Sequence, residues 1–272
     1  MKRLEKYGEL NRQGLADFHA HTCYCDGDNT PAEMVRAAAD KGLKAFGLSG
    51  HGYTPYDESY CMLQAEEAAY EAEVRALAEE YADRLEVLCG VEQDCLAGNP
   101  IRNWDYVIGS VHYIDCREQG GGIEVIDESR ETWLNIADRY FDGDVYAMIE
   151  KYYETEAMVC EKTGADIIGH FDLITKYNTG GEGGNKGALF DESHPRYILA
   201  WQKAADKLME SGVPFEINTG GMSRGYRTDA YPAKPIRDYI AAHDGRFILS
   251  SDSHNTETLC RWFDRYHDEI KK

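Results

Sequence analysis

Seven short, mostly apolar runs punctuate the chain, at residues 15–21, 45–50, 86–92, 105–112, 166–170, 213–218 and 246–252. Their length and composition fit buried strands. Longer stretches with helical spacing lie between them. Thr30-Pro31-Ala32-Glu33 opens one of these, with Thr as N-cap, Pro at the first helical position and Glu at the third. That helix is expected to stop near Gly42. Residues 64–82 are rich in Ala and Glu and favour helix by propensity, and 144–162 and 195–211 carry helical spacing. Strands alternating with helices predict a parallel sheet. A length of 272 residues suits an α/β barrel. No linker, low-complexity tract or fixed-period repeat interrupts the pattern, so one domain over residues 1–272 is expected. The connection between the fourth and fifth strands is long, contains Gly120-Gly121-Gly122, and is expected to hold a flap over one mouth of the barrel.

The ionisable residues are placed unevenly on this pattern. Six of the nine histidines lie at or just after the C-terminal ends of the predicted strands: His19, His21, His51, His112, His170 and His254. Strand three ends at Glu92, and strand seven runs into Asp252-Ser253-His254. In a parallel barrel those ends converge on one face, where chemistry is built. His19 and His21 are two apart, so an extended backbone points both the same way, and Asp252 and His254 share that spacing. Imidazoles and carboxylates aimed into one mouth form a ligand set for a divalent metal. Core packing would scatter the histidines instead.

Composition narrows the class. Hydrophobic residues make up 43% of the chain, which excludes disorder, and the net charge of −20 makes nucleic acid a poor partner. No run reaches the length of a membrane span. The eight cysteines form no C-x-x-C pair and read as reduced thiols of a cytoplasmic protein. Met-Lys-Arg-Leu-Glu-Lys-Tyr-Gly at the start has no apolar core, so no signal peptide is expected.

Four linked motifs carry a resemblance over nearly the whole chain: Asp17-Phe18-His19-Ala20-His21-Thr22 with Asp26-Gly27; Gly47-Leu48-Ser49-Gly50-His51; Gly90-Val91-Glu92 with Gly109-Ser110-Val111-His112 and Ile168-Gly169-His170-Phe171-Asp172; and Ser251-Asp252-Ser253-His254. Together they resemble the PHP (polymerase and histidinol phosphatase) family. The resemblance implies a distorted (β/α)7 TIM-like barrel and three divalent metal ions, with zinc, manganese and iron all compatible with the ligands. Carried over by position, His19, His21, Glu92 and Asp252 would hold the first ion. Glu92, His112 and His170 would hold the second, and Asp26, His51 and His254 the third. Glu92, Asp252 and His254 are the residues expected to carry catalysis. Against six positive charges, Asp26, Glu92 and Asp252 return three, and the surplus of about three suits a phosphate dianion inside an acidic protein.

The length and Glu216-Ile217-Asn218-Thr219, followed by Gly220-Gly221-Met222-Ser223-Arg224, are similar to the histidinol-phosphatase branch. The activity implied is hydrolysis of L-histidinol phosphate, a small monoester, to L-histidinol and phosphate. Alternatives are a PHP phosphoesterase acting on a nucleotide, an oligonucleotide end or phosphotyrosine, or a non-catalytic metal-binding protein. A C–N hydrolase would need a lysine at a strand end, and none is there. Arg224, Arg227 and Lys176 follow strands and are candidate phosphate contacts. Asp17 is a candidate to orient a ligand histidine. Glu216 and Asn218 share a face and point either into the mouth or into the polar filling of the barrel. Cys23 and Cys25 sit in the first motif's loop, where a thiolate is a weaker candidate ligand. His194 is a candidate substrate contact, while His243 and His267 read as surface residues. The run 178–187, with Lys186, reads as a lid or surface loop, since its glycine spacing is not that of a P-loop.

Overall fold

The computed structural model describes residues 4–100, 104–178 and 187–270. Lys186 and most of the glycine-rich run expected as a lid lie outside them. Among the described residues nine strands form: β1 (Ala16–Asp17), β2 (Ala45–Leu48), β3 (Glu86–Asp94), β4 (Tyr106–Ser110), β5 (Tyr113–Asp115), β6 (Ile123–Val125), β7 (Ile167–Ile168), β8 (Phe215–Asn218) and β9 (Phe247–Ser250). Seven of them make one sheet, in the order β1-β2-β3-β4-β7-β8-β9, and every pair in it is parallel. These are the seven strands read from the pattern, in the same order. Most are shorter than their apolar runs, because the histidine-bearing ends leave the ladder to turn side chains into the mouth.

β1 and β9 share no ladder, and the barrel is drawn shut across this seam by other bonds. At the upper end Ala20 bridges Ser253, with His21 N donating to Ser253 O at 2.8 Å. At the lower end the buried Asn11 amide donates to Ala16 O (3.0 Å) and Leu249 O (2.9 Å), while its oxygen accepts from Leu249 N (2.8 Å). Asn11→Leu would strand three buried backbone groups. Loss of about 2–4 kcal/mol is expected in urea unfolding, with the denaturant slope unchanged. A cost under about half a kcal/mol would mean that the seam closes without Asn11.

The helices form where capping chemistry demands. Thr30 and Glu33 make a reciprocal capping box on Pro31–Asp40, and Gly42 follows that helix at φ 82°. Further helices run over Glu67–Glu80, Val145–Glu156 and Pro195–Met209. Helices at Arg130–Tyr140 and Lys234–Ala242 are additional to those anticipated. Glu67–Glu80 packs on β3 and Pro31–Asp40 on β2, whereas Val145–Glu156 packs on Pro195–Met209, and Arg130–Tyr140 on Val145–Glu156 and β6. Leu4, Tyr7, Ala16, Phe18, Ala45, Leu88, Tyr106, Ile108, Ile167 and Ile248 form a separate buried cluster drawn from the barrel strands and the N-terminal segment. The Tyr106 ring lies across this interior and its hydroxyl donates to Phe18 O at 2.6 Å. A Cβ at Gly47 or Gly90 would fall inside that ring, which accounts for both motif glycines. The long fourth-to-fifth connection contains the antiparallel β5–β6 hairpin and forms part of the wall of the mouth. Among the described residues no helix is long and apolar enough to cross a membrane.

Candidate metal centre

Glu92, in β3 and 1% exposed, stands at the middle of the mouth. Its Oε2 lies 3.2 Å from His19 Nε2, 3.5 Å from His21 Nε2 and 3.1 Å from His51 Nδ1. Its Oε1 lies 2.9 Å from His170 Nε2 and 3.4 Å from His112 Nε2, and accepts from Ser110 Oγ at 2.7 Å. Asp252 Oδ1 lies 3.2 Å from His21 Nε2 and 3.7 Å from His19 Nε2. Asp26 lies 3.1 Å from His254 Nε2, 3.4 Å from His21 Nδ1 and 3.7 Å from His51 Nε2. All nine residues expected as ligands thus meet at one place, drawn from both ends of the chain and its middle.

Three groups present ligand atoms that converge: His19, His21 and Asp252; His51, Glu92 and His112; and His21, Asp26, His51 and His254. They overlap at His21 and His51; relative to the sets expected, the first lacks Glu92, the second has His51 in place of His170, and the third gains His21. His170 stands outside them, its ring on Glu92. The residues fit cations on a specific ground. His19 Nε2, His21 Nε2 and Glu92 Oε2 are buried and take no hydrogen bond, although they face one another. Two ligand atoms each about 2.0–2.2 Å from one cation lie about 3–3.5 Å apart at tetrahedral or octahedral angles. The observed spacings have that size, and the directions suit a shared third point better than each other.

Charge follows the same geometry. Burial opposes protonation of His19, but the carboxylates of Glu216, Glu92 and Asp252 outweigh it and raise its pKa well above the usual range. His21 and His112 are raised likewise against their burial, by Asp252 and Asp26 and by Glu92 and Asp94. His51 goes the other way, pulled down to about 3 chiefly by burial. Glu92 is held well below the ordinary carboxylate range, its burial overcome by the surrounding imidazoles, and Asp252 is held well below it by Arg224 and His19.

A cavity of about 280 Å³ opens over this cluster. Arg224 and Lys176 line it. Arg224 donates to Asp252 Oδ2 (3.1 Å) and to His254 Nε2 (3.2 Å), and Lys176 to Asp127 O (2.7 Å). Arg227 does not line it. Its guanidinium is buried, bonded to Thr175 Oγ1, 4.0 Å from Asp172 and 4.7 Å over the Tyr231 ring, so the expected phosphate contact is replaced by a packing role. His194 is likewise elsewhere, accepting from Arg196 N as a helix N-cap and stacked on Tyr146 at 3.8 Å. Asp17 meets no histidine ring. It accepts from Ser251 Oγ and N, anchoring the chain just before Asp252. Cys25 Sγ lies 3.6 Å from His21 Nδ1 but joins none of the converging groups, and Cys23 is exposed.

Other lining residues were not anticipated. Asp57, Tyr60, Tyr113, Asp127 and Glu128 complete the wall, with the Tyr60 ring edge-on to His51 at 4.7 Å. They come from loops and the β5–β6 hairpin, where no strand end marks them. Asp94 accepts from His112 N at 2.9 Å and lies 3.3 Å from His112 Nδ1, and its place two after Glu92 on β3 was a readable signal.

Comparison with known proteins agrees with the geometry. The PHP domain family matches residues 17–220. A Deinococcus radiodurans protein named "Probable histidinol-phosphatase" is 31% identical over 89% of this chain and 86% of its own. A Schizosaccharomyces pombe protein of the same name is 25% identical over 82% of this chain and 74% of its own. Among solved structures, hisK of Listeria monocytogenes superposes with a TM-score of 0.75 at 20% identity, covering 92% of this chain and 99% of that one. The histidinol phosphate phosphatase of Lactococcus lactis, complexed with zinc, L-histidinol and phosphate, has a TM-score of 0.62 at 18% identity, covering 93% and 92%.

Proposed function

This chain belongs to the PHP domain family, and from that premise we propose that it is a metal-dependent phosphomonoesterase that hydrolyses L-histidinol phosphate to L-histidinol and phosphate in histidine biosynthesis. The observation that carries the reading is the convergence of six imidazoles and three carboxylates, with Glu92 facing five of the imidazoles, beneath a cavity large enough for a small phosphate ester. His19, His21, Asp26, His51, Glu92, His112, His170, Asp252 and His254 would hold up to three divalent ions. Such ions supply positive charge for the phosphoryl oxygens and a water acidic enough to attack at neutral pH.

The residues of the chain do the rest. Glu92 faces five imidazoles with its two oxygens, so it fixes the separation of the groups around it. Arg224 offers a guanidinium beside Asp252, where it can grip phosphate oxygens. Lys176 adds a second cation at the rim. The wall beside Lys176 has the other sign, with Asp127 Oδ2 3.3 Å from its ammonium. Lys176 and His112 hold the Asp127 carboxyl below the ordinary range against the effect of burial, and Asp57 is held low by Ser59 and Tyr113 against the same effect, so both are anionic at neutral pH. Glu128 lies beside them and Tyr60 and Tyr113 supply aromatic surface. An ester with phosphate at one end and an ammonium and imidazole at the other matches that polarity. A mononucleotide or a phosphotyrosyl side chain brings no such cation. All eight cysteines are free, which supports a reducing, cytoplasmic setting.

The test is a steady-state comparison of histidinol phosphate, a nucleoside monophosphate and phosphotyrosine, with metal content measured on the same protein. A preference for histidinol phosphate of at least about a hundredfold in kcat/KM is expected, about 2.7 kcal/mol in the transition state. A preference for the nucleotide would overturn the substrate assignment. Metal-loaded protein that releases no phosphate from any of the three would overturn the enzyme itself.

A further inference from the structure

We propose that Glu216 and Asn218 of β8 are positioning residues that hold His19 and Asp252 from behind and thereby set one of the three ion-binding groups; this rests on the metal-dependent reading above. Glu216 and His19 are both fully shielded from solvent, and Glu216 Oε1 meets His19 Nδ1 at 2.6 Å. An ionised carboxylate only accepts, so Nδ1 carries the proton and the lone pair falls on Nε2. That Nε2 is the atom without a hydrogen bond, facing Glu92 and Asp252.

Asn218 does the corresponding work on the other side. Its oxygen accepts from Gly220 N at 2.9 Å, which turns its NH₂ toward two carboxylates. It donates to Glu216 Oε2 at 3.0 Å and to Asp252 Oδ2 at 3.3 Å. With Oδ2 engaged there and by Arg224, Asp252 presents Oδ1 to His19 and His21. The pose is not a default one for aspartate: Asp252 sits at φ 49°, and a Cβ on Gly220 would come within 2.6 Å of its Oδ2. Two residues of one strand face thus take the outer atoms of ligands that follow β1 and β9 and leave the inner atoms aimed at one point.

This predicts selectivity. The group of His19, His21 and Asp252 touches the β8 pair through two of its side chains. Among the described residues, no ligand side chain found only in the other two groups hydrogen-bonds Glu216 or Asn218. Glu216→Gln keeps the shape but puts an amide where the carboxylate accepted from His19, His170 N (3.0 Å) and Asn218. Asn218→Ala removes the support of Asp252 and leaves Glu216 in place, so it carries the test independently should the first variant fail to fold.

The experiment loads wild type and each variant with zinc alone, dialyses against graded chelator, and counts retained ions by mass spectrometry, with circular dichroism on the same samples. One ion should be released at about 10–100-fold lower chelator strength than in wild type. The others should be retained as before and the helical signal kept. In ¹⁵N spectra of zinc-loaded protein, Glu216→Gln should shift the His19 Nδ1 signal. Variants with wild-type retention overturn the proposal, as does loss of all ions together, which would mark a merely structural role. Wild type that retains no ion would instead bring down the metal-dependent reading, and this inference with it.

Discussion

Replacing Glu92 with alanine should lower kcat/KM for phosphate release by at least about a thousandfold, because several kcal/mol of transition-state stabilisation depend on the charge assembled around it. No other side chain at the mouth faces five imidazoles. His21→Ala should have an effect of the same order, since its ring lies within 3.5 Å of Glu92, Asp252 and Asp26. Both variants should fold. The apolar interior around Phe18 and Tyr106 makes no use of either side chain. The check is turnover beside far-UV circular dichroism and metal content. Near-normal turnover in both variants would mean that the ligand assignment is wrong.

Stripping the protein with a strong chelator should abolish phosphate release, and zinc, manganese or iron should restore it. It should also lower the melting temperature. An ion present at a hundred times its dissociation constant contributes about 2.7 kcal/mol, which in a chain of this size shifts Tm by roughly 5–10 °C. The sign follows from the buried atoms that take no hydrogen bond, His19 Nε2, His21 Nε2 and Glu92 Oε2, which gain a partner only with the ion. Protons compete for the same nitrogens, so retention should weaken as pH falls. Activity that survives complete removal of metal, with Tm unmoved, would remove the basis of the proposed function.

Much of this arrangement was legible before any coordinates. The order of the seven parallel strands followed from apolar runs alternating with helical spacing, and the histidines marked which strand ends face the mouth. The strand lengths were not legible. Periodicity extends through His19 and His21, but β1 stops at Asp17: beyond it Phe18 O accepts from the Tyr106 hydroxyl, and His19 O and His21 N bond across the seam to Ser253. Arg227 and His194 were misread for a common reason. Proximity in sequence to a strand end does not say which way a side chain leaves a loop, and each found a partner outside the cavity. Asp57, Asp127 and Glu128 were invisible because a wall built from two separate connections leaves no spacing in the chain. Glu216 was visible as a face-sharing partner of Asn218, but its contact with His19 spans 197 positions and needed the closed barrel to be seen.

The seam between β1 and β9 also sets when the centre can exist. His19, His21 and Asp26 leave the ribosome early, whereas Asp252 and His254 emerge more than two hundred residues later. Until they do, the early histidines have neither the seam bond to Ser253 nor the carboxylate of Asp252. The two groups that include Asp252 or His254 are therefore completed only after β9 has been made, and a nascent polypeptide halted before β9 should capture less zinc than the released protein.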